Sequence, residues 1–116
     1  MDTVDVAYEE HGPVMVARLS GEVDMTNTEE LRSSMLDRLP HESSGLVVDL
    51  SALDYLDSAG IHLLYDLANV LQVRGQRLGV VVAPGSRAEV ALRYAAVLSQ
   101  LCAQPTVQGA LAQFSA

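Results

Sequence analysis

Cysteine is nearly absent. Cys102 stands alone in 116 residues, which excludes an intrachain disulfide and any metal cage built from cysteines. Basic residues are few as well, 7 against 15 acidic ones, for a formal charge of −8. That balance argues against nucleic acid or an anionic membrane as the main partner. It suits either plain solubility or a basic protein partner. No apolar run is long enough to span a bilayer, and no N-terminal stretch has the make-up of a signal peptide, so a cytoplasmic location is expected. Neither Gly-x-x-x-x-Gly-Lys nor Gly-x-Gly-x-x-Gly occurs, and no cofactor is expected. His11 and His41 fall in loops with no pairing suggested, so no metal site is expected. Internal repeats, low-complexity tracts and linkers are missing too.

What is present is a core. Hydrophobic residues make up 49% of the chain, and a single domain over residues 1–116 can bury roughly two-thirds of its unfolded surface. Val4, Val6 and Tyr8 alternate with Asp5, Ala7 and Glu9, which predicts a half-exposed strand. His11-Gly12-Pro13 punctuates a hairpin to a second strand over residues 14–19. Ser20 to Asp24 forms a loop. Thr26 and Glu29 then have the spacing of a capping box, ahead of a helix with Leu31, Met35 and Leu39 on its apolar side.

Residues 46–65 are the centre of the chain. Leu46 to Leu50 predicts a strand buried on both faces, and the segment after it predicts a helix to about Arg74, closed by Gly75. Ile61, Leu64, Tyr65, Ala68 and Leu71 share one side of that helix, and His62, Asp66 and Asn69 lie on another. Ser58 falls where an N-cap belongs, so a hydroxyl is placed at the positive end of a helix. That position suits a plain cap first; it also suits an anion, including a phosphate carried by the serine itself. Residues 78–83 predict another strand. Ser86 and Glu89 give a second capping box for a helix to about residue 94 or 95, 98–103 a final short strand, and 107–113 a last helix with Val107, Leu111 and Phe114 as apolar contacts. The order is ββαβαβαβα: an α/β fold with a mixed sheet, in which a hairpin is followed by parallel strands joined by helical crossovers.

Ser58 and His62 are four apart, yet a serine hydrolase needs a third orienting group and an oxyanion hole, and no Gly-x-Ser-x-Gly elbow is present. The chain is not expected to be an enzyme. Gly85-Ser86-Arg87 at a helix start could hold an anion or simply cap the helix. Glu22, Asp24, Asp54 and Asp57 fall in loops at or near one edge of the parallel sheet, where partners dock in open α/β folds. Asp24 and Asp57 either satisfy turn amides or face a partner, and one residue can do both. Tyr55 lies beside the serine, as packing or as contact.

Asp57-Ser58-Ala59-Gly60 after an apolar strand, with Gly21-Glu22-Val23-Asp24 after an earlier one, resembles the STAS domain of bacterial anti-sigma factor antagonists. The resemblance runs over roughly residues 4–114. It implies a mixed sheet covered mainly on one face by about four helices. It also implies a cycle: binding to an anti-sigma factor with serine/threonine kinase activity releases a sigma factor, phosphorylation of Ser58 ends that binding, and a protein phosphatase resets it. Asp57 would orient or cap beside the phosphoacceptor, Glu22 and Asp24 would belong to the partner-facing loop, and Asp54, Tyr55, Ile61 and His62 would extend the surface. Two departures stand out. Ala59 replaces a second hydroxyl common in the family, and Ala95-Ala96-Val97-Leu98 lacks a glycine often found before the last strand. Two other roles fit the same fold: an adaptor subunit of a transporter or stress-sensing assembly, and a domain binding a small ligand such as a lipid or nucleotide.

Overall fold

The structure, a computed structural model, describes residues 3–97 and 99–115. Its centre is a sheet of four strands in the order β1-β2-β3-β4, with β1 Val4–His11, β2 Val14–Val23, β3 Gly45–Leu56 and β4 Arg77–Val81. The hairpin forms as expected. His11 pairs with Val14 across a two-residue loop in which Gly12 takes φ +62, a conformation that a residue without Cβ adopts freely. β2–β3 and β3–β4 are parallel, and their connections carry α1 Thr28–Arg38 and α2 Ser58–Val73. Two shorter helices follow, α3 Arg87–Tyr94 and α4 Val107–Ala112.

Helices α1, α2 and α3 cover one face. Leu31 and Met35 of α1, Leu64, Leu67 and Leu71 of α2, and Leu92 of α3 pack on Ala17, Leu19, Leu46, Val48, Leu50 and Val80. The opposite face is smaller. There Val14, Val16, Val47 and Val81 meet Ala110 of α4, with Val107, Leu111 and Phe114 at its margin. Both faces of β3 are therefore buried at its start, as its β-branched run demands. Asp49 interrupts that run as a buried carboxylate. It is tolerated because Arg18 Nη1 donates to its Oδ2 at 3.0 Å and the Ser51 amide donates to Oδ1 at 3.0 Å, compensating a charge that burial alone would penalise. A buried Gln76 ties the loops at the other end of the sheet, its Nε2 donating to the carbonyls of Pro40 (2.9 Å) and Ser43 (3.1 Å).

The expected fifth strand does not form. Leu98 lies outside the described residues, residues 99–102 are turns, and only Gln104 bridges to Val81 in parallel. The Gln104 amide donates to the Val80 carbonyl and the Val82 amide to the Gln104 carbonyl. Cys102, with φ +52, breaks the extended backbone before a ladder can grow. Leu101 reaches the core from a turn. α4 begins where expected, with the Thr106 hydroxyl accepting from the Gly109 amide at 3.0 Å.

Candidate partner-binding and modification site

The site lies where β2 and β3 end and α2 begins. The pairing of these strands runs further than the sequence pattern indicates, reaching Glu22 opposite Tyr55 and Val23 opposite Leu56. Glu22, Asp54 and Tyr55 are thus strand residues rather than loop residues. The register slips between Arg18 and Ser20 and again between Gly21 and Glu22, each time with an extra residue on β3. Such bulges obscure strict alternation and re-aim the strand end. The Asp57 amide donates to the Val23 carbonyl at 3.3 Å, which fixes the start of α2 to the last residue of β2.

Asp57, not Ser58, caps α2. Its Oδ1 accepts from the amides of Ala59 (2.9 Å) and Gly60 (3.2 Å). A carboxylate takes two amide donors and adds a favourable charge at the positive helix end, so it outcompetes a hydroxyl for this role. Ser58 is left as the first helical residue. It is exposed, and its hydroxyl has no hydrogen bond to any described residue. Gly60 explains why a glycine closes the tetrapeptide: a Cβ there would stand 2.3 Å from Leu56 Cδ1 and 3.0 Å from Val23 Cγ1. The first turn of α2 sits directly on the ends of both strands.

The capping box at Thr26 is also replaced. Asn27 precedes α1 without a side-chain cap, because its Oδ1 accepts from the Asp24 amide (3.1 Å) and its Nδ2 donates to the Glu22 carbonyl (2.9 Å). Asp24 Oδ1 accepts from both the amide (2.8 Å) and the hydroxyl of Thr26. Asp24 is only 7% exposed. Its first task is to hold the turn between β2 and α1.

Two open depressions flank the start of α2. One is lined by Glu22, Asp24, Met25, Thr26, Tyr55 and Asp57, so four of the anticipated residues meet there. Met25 and Tyr55 are 78% and 48% exposed, which sets two apolar groups beside three carboxylates. The other is lined by Thr28, Ser58, Ala59, His62, Leu63 and Asp66. Asp54 is exposed on β3 and lines neither of these two depressions. Ile61 is half-buried, packed on the main core. Met25 and Thr28 join the site only through the fold. An apolar residue held between Asp24 and Thr26 in a polar loop was the one available signal for Met25.

Elsewhere, the Gly85-Ser86-Arg87 turn holds an anion of its own. Glu89 Oε1 accepts from the Gly85 amide at 2.9 Å while the Ser86 hydroxyl accepts from the Glu89 amide at 3.2 Å. That hydrogen bond, with the Arg93 guanidinium at 2.7 Å, holds the Glu89 carboxyl below its ordinary value. Among the described residues no helix is long and apolar enough to cross a membrane.

Comparison with known proteins agrees with this geometry. Residues 6–100 match the family described as Mlab, STAS domain. The anti-sigma-F factor antagonist RsfB of Mycobacterium tuberculosis is 30% identical over 63 residues, which are 54% of this chain and 52% of RsfB. The match spans about half the length of that relative. An anti-sigma factor antagonist from Mycobacterium paratuberculosis superimposes with a TM-score of 0.84 at 25% identity, over 99% of this chain and 97% of that one. The phosphorylated form of the Bacillus cell fate determinant SpoIIAA shares the fold, with a TM-score of 0.67 at 18% identity over 94% of this chain and 98% of that one. A mixed four-stranded sheet, an aspartate-capped helix presenting a serine at the strand ends, and a family match covering most of the sequence place the chain in the STAS domain family.

Proposed function

We propose that this chain, acting as one STAS domain over residues 1–116, is a cytoplasmic anti-sigma factor antagonist and a binding switch, not an enzyme. It binds an anti-sigma factor that is also a serine/threonine kinase, and so releases a sigma factor. The kinase phosphorylates Ser58 and ends the interaction; a phosphatase restores it. One observation carries the reading: Asp57 takes the cap, so Ser58 is exposed, with a hydroxyl uncommitted among the described residues, in the open depression it shares with His62. Glu22, Asp54, Tyr55, Asp57 and His62 supply the surrounding surface, the buried Asp24 and the half-buried Ile61 hold it from beneath, and Met25 adds an exposed apolar contact. That one relative and one structural neighbour are anti-sigma factor antagonists supports the same assignment.

The mechanism follows from charge. A phosphate adds nearly two negative charges beside Asp57. The α2 terminus offsets part of the repulsion, by up to ~1–2 kcal/mol, so the fold survives. The docking surface does not, because a desolvated like-charge clash costs several kcal/mol.

Calorimetry with the candidate anti-sigma kinase, on wild type and Ser58→Asp, tests the reading. A parallel assay follows phosphate transfer from ATP to wild type and Ser58→Ala. Tight binding by wild type, weak binding by the aspartate variant and transfer only where Ser58 is present are expected. Equal binding by both proteins with no transfer would overturn the switch in favour of the adaptor role.

A further inference from the structure

Ser58, His62 and Asp66 are spaced at four residues on α2 and form one row along its surface. All three line the depression that also contains Thr28 of α1. Asp66 already faces a cation, since Arg32 Nε of α1 lies 3.5 Å from its Oδ2 in an exposed ion pair. His62 is the only side chain in that lining able to carry a positive charge. It therefore stands between a serine hydroxyl and a carboxylate whose charge is met from the neighbouring helix.

We infer that His62 receives a phosphate carried by Ser58, pairing with it as imidazolium across one helical turn, and so makes the modified state sensitive to pH near neutrality. This rests on the reading of Ser58 as the phosphoacceptor. An anion at one position with a cation four residues later is the favourable orientation on a helix. The second ionisation of a phosphoserine ordinarily lies near pH 6 and that of a histidine near 6.5, so a pair of these two chemical types responds to pH near neutrality. Pairing raises the midpoint of His62 and lowers that of the phosphate. The surrounding charges sharpen the point. Asp57 stands at the helix cap, with Glu22 and Asp24 beyond it, and Glu29 and Glu30 of α1 line the next depression with Arg32 and Asp66. Apart from Arg32, which already faces Asp66, every one of these is an acid. His62 positions the phosphate and offsets its charge. When pH falls through the raised His62 midpoint, the phosphate is partly neutralised and its electrostatic block on a partner weakens.

The test uses full-length protein with phosphoserine installed at position 58 during translation, so no kinase is involved. The midpoint of His62, followed by nuclear magnetic resonance, is expected about half a pH unit higher in the phosphoserine protein than in the serine form. The phosphorus resonance should titrate at higher pH in His62→Gln. In His62→Lys it should return to the low value, since a cation at the same place restores the pair. Asp66→Asn is expected to leave the increment in the His62 midpoint in place. An identical His62 midpoint with and without phosphate would overturn the pairing. Failure of a kinase to modify Ser58 would count against the switch, and leaves this measurement to be judged by itself.

Discussion

Gly60 shows how one missing side chain positions a functional one. With Leu56 Cδ1 and Val23 Cγ1 in the space a Cβ would take, a side chain there must displace those two side chains or the first turn of α2. Gly60→Ala is expected to destabilise the protein by about 1–3 kcal/mol, as overpacking of a fitted contact does, despite alanine's better helix propensity. Thermal denaturation checks it, and an unchanged or raised melting temperature would refute the packing account. Gln76 is the polar counterpart. Its amide serves carbonyls of the loop after α1 from the loop after α2, so Gln76→Leu leaves those acceptors without their donor. A loss of about 1–3 kcal/mol in urea denaturation is expected. At this scale the sequence was partly legible. Asp57 and Ser58 are both legible as the start of α2, and the pattern predicts a hydroxyl cap where the carboxylate takes it. Which of two adjacent oxygens reaches the first-turn amides depends on where helical backbone begins, and here that is at Ser58.

At the scale of elements, apolar periodicity located α1, α2 and β4 to within a few residues, because each buries one stripe or one run. It failed where pairing or a bulge decided the outcome. β2 and β3 extend to Val23 and Leu56 through two register slips, and no alternation rule survives such slips. Leu101 reads as part of a strand because the alternation of strands and helices calls for one there, whereas its backbone is in a turn. α3 is the opposite case, a helix whose start was written plainly by Ser86 and Glu89. Its charge network makes a pH prediction. The Gly85 amide, followed by Arg93, holds the folded Glu89 carboxyl below its ordinary 4.5. Its stabilisation is therefore present above the unfolded value and is lost as pH falls through the lowered folded value. The melting-temperature gap between wild type and Glu89→Gln should be constant from neutral pH down to the ordinary carboxyl range, then close on further acidification. A gap that widened on acidification would contradict the assignment.

Across the whole molecule, two properties must be kept apart: the stability of the sheet and its helices, and the charge on one end of them. The core lies beneath Ser58 without including it. An added negative charge at the first residue of α2 meets a helix terminus that favours it and an Asp57 carboxylate that opposes it. Ser58→Asp is accordingly expected to melt within a few degrees of wild type, a stability change below about 1 kcal/mol. The same substitution alters a surface where Glu22, Asp24 and Asp57 already concentrate negative charge around Met25 and Tyr55. If a partner docks there with basic and apolar groups, the aspartate must be desolvated among like charges, and a cost of about 3 kcal/mol corresponds to a more than hundredfold rise in Kd. Calorimetry and differential scanning on one sample separate the two effects. A melting temperature lowered by ten degrees would mean that Ser58 is structural and that weakened binding reports unfolding. A preserved melting temperature with lost binding would place the switch at the surface, where charge changes and the fold does not.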